Sequence, residues 1–330
     1  MKRPYLDQFV CKGLQGEFHR ANPREGERVI SMVQRLIGAI EAGGTKFVLA
    51  VAREDGTILE EARIATRSPD ECFPDLANFF RAAADTHGPV SSFGVASFGP
   101  IDINPKSPAY GTFTTTPKPG WSGARFQDVL GAFGAPIAVD TDVNCAALGE
   151  WSRGAGQGCS TLAYTTVGTG IGTGVVHMGK PLMGFSHYES GHIRPPHDHA
   201  ADPFVGACPF HGDCLEGLAA GPAIMARWGQ SLSELGSPPD KVELIAGYIA
   251  HLATSLVLLH MPDRLVFGGG VMKAPGLLQA VRRMTEAKLG GYVCAPQLDP
   301  GLEQFIVAPA LGDYAGIAGA IELGRIAADQ

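Results

Sequence analysis

LIGAIEAGGTKFVLAVA, residues 36–52, reads as an apolar strand from Leu36 to Glu41, a glycine turn, Ala42-Gly43-Gly44-Thr45-Lys46, and a second strand from Phe47 to Ala52. An Asp55-Gly56 turn and a third strand, Ile58 to Ile64, extend the hairpin. The design recurs downstream. Thr161-Leu-Ala-Tyr-Thr-Thr-Val167 enters Gly168-Thr-Gly170-Ile-Gly172-Thr-Gly174, followed by Val175-Val-His-Met178, a Gly179-Lys180 turn and Pro181-Leu182. Two halves that each open with a glycine-turned hairpin indicate an internally duplicated fold. Glycine lets backbone N–H groups approach a phosphate with no Cβ in the way, and Thr45, Lys46 and Thr169 add donors. One such turn per half can grip a triphosphate between them. The glycines from 168 to 174 alternate with period two and lead into a strand, unlike the Gly-x-Gly-x-x-Gly that opens a helix, and neither run ends in the Gly-Lys-Ser/Thr of a P-loop. The plain alternative, two hairpin turns and nothing more, is weakened by their matching positions.

The rest of the chain alternates. Phe73 to Thr86 reads as a helix with Pro74 in its first turn, and Ser92 to Ser97 as a strand leading to Gly99-Pro100-Ile101-Asp102. Ile137 to Asp140 is another strand. Asn144–Trp151, Leu218–Trp228, Lys241–His260 and Pro275–Lys288 have helical patterns. Arg264 to Phe267 is a short strand running into Gly268-Gly269-Gly270-Val271-Met272, and Phe305 to Val307 precedes a final helix, Tyr314 to Ala327. Strands alternating with helices after each hairpin give an α/β fold with mixed sheets.

A chain of 330 residues exceeds one ordinary core, so two domains are expected. A net charge of −7 speaks against a nucleic-acid partner. No uninterrupted apolar run is long enough to span a bilayer, which argues against a membrane protein, and the N-terminus lacks the apolar core of a signal peptide. Seven cysteines, scattered except for Cys208 and Cys214, argue against a disulfide framework and fit the reducing cytoplasm. Residues 1–34, polar and without a sustained period, read as a poorly ordered extension, with Met32 as a rival start.

Between Glu189 and Glu216 lie Glu189-Ser-Gly-His192 and Cys208-Pro-Phe-His211-Gly-Asp-Cys214-Leu-Glu216. Cys-x2-His-x2-Cys on a loop broken by Pro209 and Gly212 gathers three soft ligands, and His192 closes a tetrahedron. Two thiolates and two imidazoles suit Zn²⁺, and four protein ligands leave no open position, so a structural ion is expected at His192, Cys208, His211 and Cys214. His187, His197 and His199 crowd the same stretch and read as surface residues.

The strand ending at Asp140 enters Thr141-Asp142-Val143-Asn144, where α/β folds put functional residues. Asp142 suits a general base that takes a hydroxyl proton during phosphoryl transfer; its bland role is helix N-cap, for which Asp, Thr and Asn all serve. Gly268 to Met272 offers bare backbone to an aromatic base and ribose, or is a plain strand-to-helix turn. Glu189, His192 and Glu216 suit sugar hydroxyls, or support for zinc.

With these residues in hand, the chain resembles the ROK family of sugar kinases, and among them the bacterial fructokinases, over about residues 35 to 327. Glu41-Ala-Gly-Gly-Thr-Lys46 resembles the first phosphate motif, Thr141-Asp142-Val-Asn144 the catalytic-base motif, and Val167 to Gly174 the second phosphate motif. Glu189-Ser-Gly-His192 with Cys208, His211 and Cys214 resembles the sugar and zinc signature, and Phe267 to Met272 the adenosine motif. The Cys-Pro-Phe-His-Gly-Asp-Cys spelling is the fructokinase form.

The resemblance implies an actin-like ATPase (ribonuclease H-like) duplicated fold with two domains around a cleft. The small domain would span 35–145 plus the C-terminal helix 313–330, and the large domain 146–312. It implies ATP held by Gly43, Gly44, Thr45, Lys46, Gly168, Thr169, Gly170, Pro222, Gly268, Gly269, Gly270, Val271 and Met272, with Mg²⁺ bridging the β- and γ-phosphates. The hexose, fructose before others, would be bound by Gly99, Pro100, Thr141, Asp142, Glu189, His192 and Glu216. A cytoplasmic homodimer is the expected assembly. Glu41 stands where most of the family has Asp, as in many fructokinases, and would reach Mg²⁺ through water. Thr141 replaces a sugar-contacting Asn of glucokinase-like members, which argues against glucose. The alternatives are a kinase for glucose, mannose or an N-acetylhexosamine, a sugar-sensing regulator, for which 35 leading residues are too few to form a DNA-binding domain, and a zinc-stabilised binding module without catalysis.

Overall fold

Both glycine turns sit at the ends of matching hairpins. The computed structural model describes residues 35–116 and 118–329, so the extension expected at 1–34 and the last residue of the expected C-terminal helix lie outside the described residues. In the first half β1 (Leu36–Ala42) pairs antiparallel with β2 (Lys46–Arg53), which pairs antiparallel with β3 (Ile58–Ala65). The chain then crosses through α1 (Pro69–His87) to β4 (Ser92–Ser97), parallel to β1, and through α2 (Phe126–Leu130) to β5 (Ile137–Thr141), parallel to β4. The sheet order is β3-β2-β1-β4-β5.

Helix α3 (Asp142–Arg153) leads to the second half, which repeats the plan. β6 (Thr161–Val167) and β7 (Ile171–His177) form the hairpin, and β8 (Lys180–Pro181) extends it. Helices α4 (Leu215–Ala219), α5 (Gly221–Trp228) and α6 (Pro239–His260) then precede β9 (Arg264–Gly268), parallel to β6. After α7 (Leu277–Leu289), β10 (Ile306–Val307) lies parallel to β9, and α8 (Ala315–Ala328) ends the described chain. Read from β8 the second sheet is β8-β7-β6-β9-β10, the order of the first.

The β1 and β4 strands are buried on both faces and read as near-continuous apolar runs. One face of the first sheet packs Phe47, Leu49 and Phe93 against Leu76 and Phe80 of α1, with Trp121 and Phe126 beside them. Its other face packs Ile37, Ala39 and Ala50 against Ile317, Ala320 and Ile321 of α8. The second sheet is covered on one face by α4 to α7 and on the other by Val143, Ala147 and Leu148 of α3. Helices α3 and α8 therefore lie between the sheets, and they meet through bare backbone. A methyl group added at Gly319 would overlap the Cys145 carbonyl, and one at Gly149 that of Ala315.

Two expectations need correction, the start of α1 and the single helix over 218–228. Helix α1 begins at Pro69, because Ser68 and Glu71 form a capping box (Ser68 N–H to the Glu71 carboxylate, 3.3 Å) with proline at the first position. Pro74 therefore lies inside the helix, where it removes one backbone hydrogen bond. The helix expected over 218–228 is two helices, α4 and α5, broken at Ala220. Helix α6 is long and apolar enough to cross a bilayer by length and composition, but Ile245, Ile249, Leu252 and Leu256 pack in the core beside β6 and β9, so its apolar character is that of a core helix. The expected domain boundary at 145/146 falls within α3.

Candidate active site

Asp142 is the centre from which the site can be built. Thr141 ends β5 and caps α3, its hydroxyl accepting from Asn144 N–H at 3.2 Å. The cap role considered for Asp142 is thereby filled by its neighbour, and Thr141 itself is buried. Asp142 is the first residue of the helix. It accepts only from Val143 N–H, at 2.8 Å, among the described residues, and its carboxylate opens on a cavity of about 840 Å³. That position also receives the positive end of the α3 dipole. Behind it Asp140 is buried and accepts from Thr141 N–H and the Asn144 side chain, each at 2.7 Å, which fixes the strand-to-helix corner.

Glu41 from β1, Lys46 from β2 and Asp313 after β10 line the same cavity. Desolvation, then the neighbouring Asp142 charge, raise the Glu41 pKa to about 7. Desolvation at the bottom of the cleft raises Asp142 to about 6. Asp142 is itself exposed to the cleft, so solvent screening tempers this rise. The pair's repulsion belongs to both groups, and their titrations are coupled. Two carboxylates crowded in this way, with Asp313 nearby, are a donor set that suits a hard divalent cation.

The first glycine turn lies beside these groups. Gly43 N–H bonds Lys46 O at 3.0 Å, and Thr66 anchors the turn through its hydroxyl to Gly43 O (2.7 Å) and its N–H to Thr45 O (2.9 Å). The Gly44 and Thr45 amides have no partner among the described residues and sit on the exposed tip. In the second turn Gly168 N–H bonds Gly170 O at 2.9 Å, leaving Thr169 exposed. Glu216 at the start of α4 braces this turn, accepting from Ile171 N–H at 3.0 Å. In the third run Gly268 and Gly269 are glycine for steric reasons. Gly269 has φ +93°, and any Cβ there would strike the Val167 backbone; one on Gly268 would meet the Tyr164 hydroxyl and Pro309.

Gly168, Thr169, Pro222, Gly270 and Val271 line a second, more apolar cavity of about 500 Å³ with Ile224, Met225 and Leu232. Gly268, Gly269, Gly270 and Met272 line the larger cavity, and Gly270 joins the two. Gly99 and Pro100 lie on the exposed turn after β4 and line neither. Glu189 is exposed. It accepts from His187 Nε2 at 2.9 Å and lies 4.0 Å from His192 Nε2. That bond to His187 holds the Glu189 carboxyl below the usual range and raises the His187 imidazole, whose charge also faces Asp140 and Asp142.

His192 Nδ1, Cys208 Sγ, His211 Nδ1 and Cys214 Sγ all lie within 4.8 Å of one another. Measured edges are 3.5 Å (Cys214–His192), 3.8 Å (Cys208–His192) and 3.7 Å (Cys208–His211). A tetrahedral Zn²⁺ site with metal–ligand distances of about 2.0–2.3 Å has edges of about 3.5 Å, so the four residues fit that ion in chemistry and in spacing. Cys208 and Cys214 are buried, and a Cys208–Gly212 bridge shapes the ligand loop.

Several cleft residues carry no local signature in the sequence. His187 was read as surface, and its place behind Glu189 has no local signature. Arg63, Tyr164 and Asp313 line the large cavity, but their side of the strand or loop is known only once both sheets are folded.

The ROK family model matches residues 37–326. The chain is 43% identical to a fructokinase of Zymomonas mobilis, over 90% of this chain and 99% of that one. It is 39% identical to a fructokinase of Streptococcus mutans, over 89% and 97%. Among solved structures, the ROK hexokinase from Thermus thermophilus superposes with a TM-score of 0.71 at 27% identity, covering 88% of this chain and 98% of that one. A ROK glucokinase from Streptomyces griseus, in complex with glucose and AMPPNP, gives 0.66 at 25% identity, covering 88% and 99%. A family model matched almost end to end, relatives alike over their whole length and a shared doubled sheet together establish that this chain belongs to the ROK family.

Proposed function

We propose that this protein is an ATP-dependent fructokinase that phosphorylates the terminal hydroxyl of fructose to give fructose 6-phosphate. The observation that carries the reading is an uncapped carboxylate, Asp142, at a helix start, opening on a cavity that Lys46 and the Gly268–Gly270 backbone also line. The two fructokinase relatives at about 40% identity support fructose as the sugar.

The apolar cavity suits an adenine, stacked on Pro222 and Val271. The Gly44 and Thr45 amides and Thr169 would hold the phosphate tail, with Lys46 countering its charge. Mg²⁺, when bound, neutralises charge on the β- and γ-phosphates; Glu41 and Asp142 would hold its water shell. Asp142 accepts the sugar hydroxyl proton as the oxygen attacks the γ-phosphorus and ADP leaves. Glu189 and His192 Nε2 would orient the sugar, and His192 Nδ1, with Cys208, His211 and Cys214, would hold a zinc ion whose charge would fix that ring's tautomer and direction. Glu216 contributes by bracing the second phosphate turn. Two lobes on either side of the cleft, 35–145 with 313–330 and 146–312, and a cytoplasmic homodimer complete the reading.

A panel of hexoses with ATP and Mg²⁺, scored by coupled ADP release, tests it. Fructose should give the highest kcat/KM. A preference for glucose, mannose or an N-acetylhexosamine replaces the sugar, and no turnover with any hexose overturns the kinase.

A further inference from the structure

One cluster of ligating side chains has no part in the site described above. His197 and His199 lie on the loop after His192, and Asp213 directly precedes Cys214. One ligand atom of each lies within 4.8 Å of the others: His197 Nδ1 is 3.4 Å and His199 Nε2 3.9 Å from Asp213 Oδ2. The two imidazole rings are 4.0 Å apart, tilted by 48°.

Hydrogen bonding fixes what His197 can offer. Its side chain is only 3% exposed, and its Nε2 is 2.9 Å from the Asp202 carbonyl oxygen, which can only accept. Nε2 therefore carries the proton, and in the neutral ring Nδ1 is a bare lone pair. That lone pair faces a carboxylate oxygen, an acceptor facing an acceptor. The arrangement needs a positive centre between the two atoms, either a second ring proton or a bound cation. His199 Nε2 approaches the same Asp213 oxygen from the solvent side, so two imidazole nitrogens and one carboxylate oxygen converge on a single point, the ligand set of a bound cation. Asp202 is itself held by Arg227 and by the Tyr248 hydroxyl (2.6 Å), so the carbonyl that sets the tautomer stands on a fixed support. Arg194 competes weakly, its guanidinium 3.8 Å from the other Asp213 oxygen.

We propose that His197, His199 and Asp213 form a second metal site, for a divalent transition metal of the Zn²⁺ class. Three nitrogen and oxygen ligands would be completed by water. The site is more exposed and looser than the Cys₂His₂ cluster, so it fills at higher metal concentration. Bound metal would tie the 194–205 loop to the strand of ligands ending at Cys214.

The test uses purified holo protein, dialysed, with metal content counted by mass spectrometry and Co²⁺ then added as the probe. Wild type should take up one further Co²⁺ per chain, saturably, with weak visible bands and no thiolate-to-metal charge-transfer absorption. His199→Ala should weaken this uptake about tenfold or more, and Asp213→Asn likewise, while leaving the resident metal in place. No saturable uptake beyond the resident ion, or equal uptake by wild type and both variants, overturns the proposal. If the Cys₂His₂ cluster were the site being filled, intense thiolate bands would report it. Kinase activity is not read, so a failure of the fructokinase assignment is separate from a failure here.

Discussion

Lowering the pH should silence this enzyme earlier than it silences one with an ordinary aspartate base. Desolvation raises Asp142 to about 6. With that value about nine-tenths of the base is ionised at pH 7 and just under about one-tenth at pH 5, so a rate that needs the carboxylate falls about tenfold over the interval. An aspartate at its usual value of about 3.9 would still be about nine-tenths ionised at pH 5 and would lose almost nothing. The assay is kcat/KM for fructose at saturating ATP from pH 5 to 8 by coupled ADP release, with circular dichroism at each pH to show that the protein is folded. Glu41 titrates in the same cleft, so the limb is a property of the pair, and Glu41→Gln should move its midpoint down by removing a like charge. Asp142→Asn should lower turnover by about 10²–10⁴ with ATP binding nearly intact. A flat profile between pH 5 and 7 from folded protein, or comparable turnover in Asp142→Asn, refutes Asp142 as the base.

Glu41 has a folded-state pKa above its unfolded value, so the folded state holds the extra proton between about pH 4.5 and 7 and loses stability as pH rises through that window; Glu41→Gln should therefore gain on wild type in denaturant midpoint from pH 5 to pH 8. Cys214→Ala, or chelation, should release one zinc per chain and lower both melting temperature and activity, whereas full activity in metal-free protein would show the cluster to be dispensable. Gly319→Ala drives a methyl group into the Cys145 carbonyl and should cost about 1–3 kcal/mol in urea unfolding, whereas Gly131→Ala, in helical conformation with nothing within 4 Å, should be neutral or slightly stabilising.

Much of this architecture is written in local patterns. The doubled hairpin was visible because strand alternation and glycine turns are short-range signals, and the two sheets share one strand order. The Cys/His cluster was legible because soft donors at that spacing have few other uses, and one ligand atom from each of the four residues lies within 4.8 Å of the others. The failures share a different cause. Pro74 misled because the start of α1 is set six residues earlier by Ser68 and Glu71. His187 looked like surface because its nearness to Asp140 and Asp142 arises only when its loop packs beside the β5–α3 corner, while its bond to Glu189, two residues on, has no sequence signature. Glu216 keeps its place as an expected sugar contact; what local pattern did not show is its bond from Ile171 N–H, which exists only once α4 lies against the β6–β7 turn.

The contact between α3 and α8 has a consequence for how this enzyme can change over time. At Gly149 and Gly319 main chain rests on main chain, so no side chain there is available to retune the spacing between the sheets. Mutation can change many of the side chains that line the two cavities, but the axle on which both are mounted admits hydrogen alone. Diversity in substrate would then arise at the rim of the cleft, and the bearing beneath it would stay as it is.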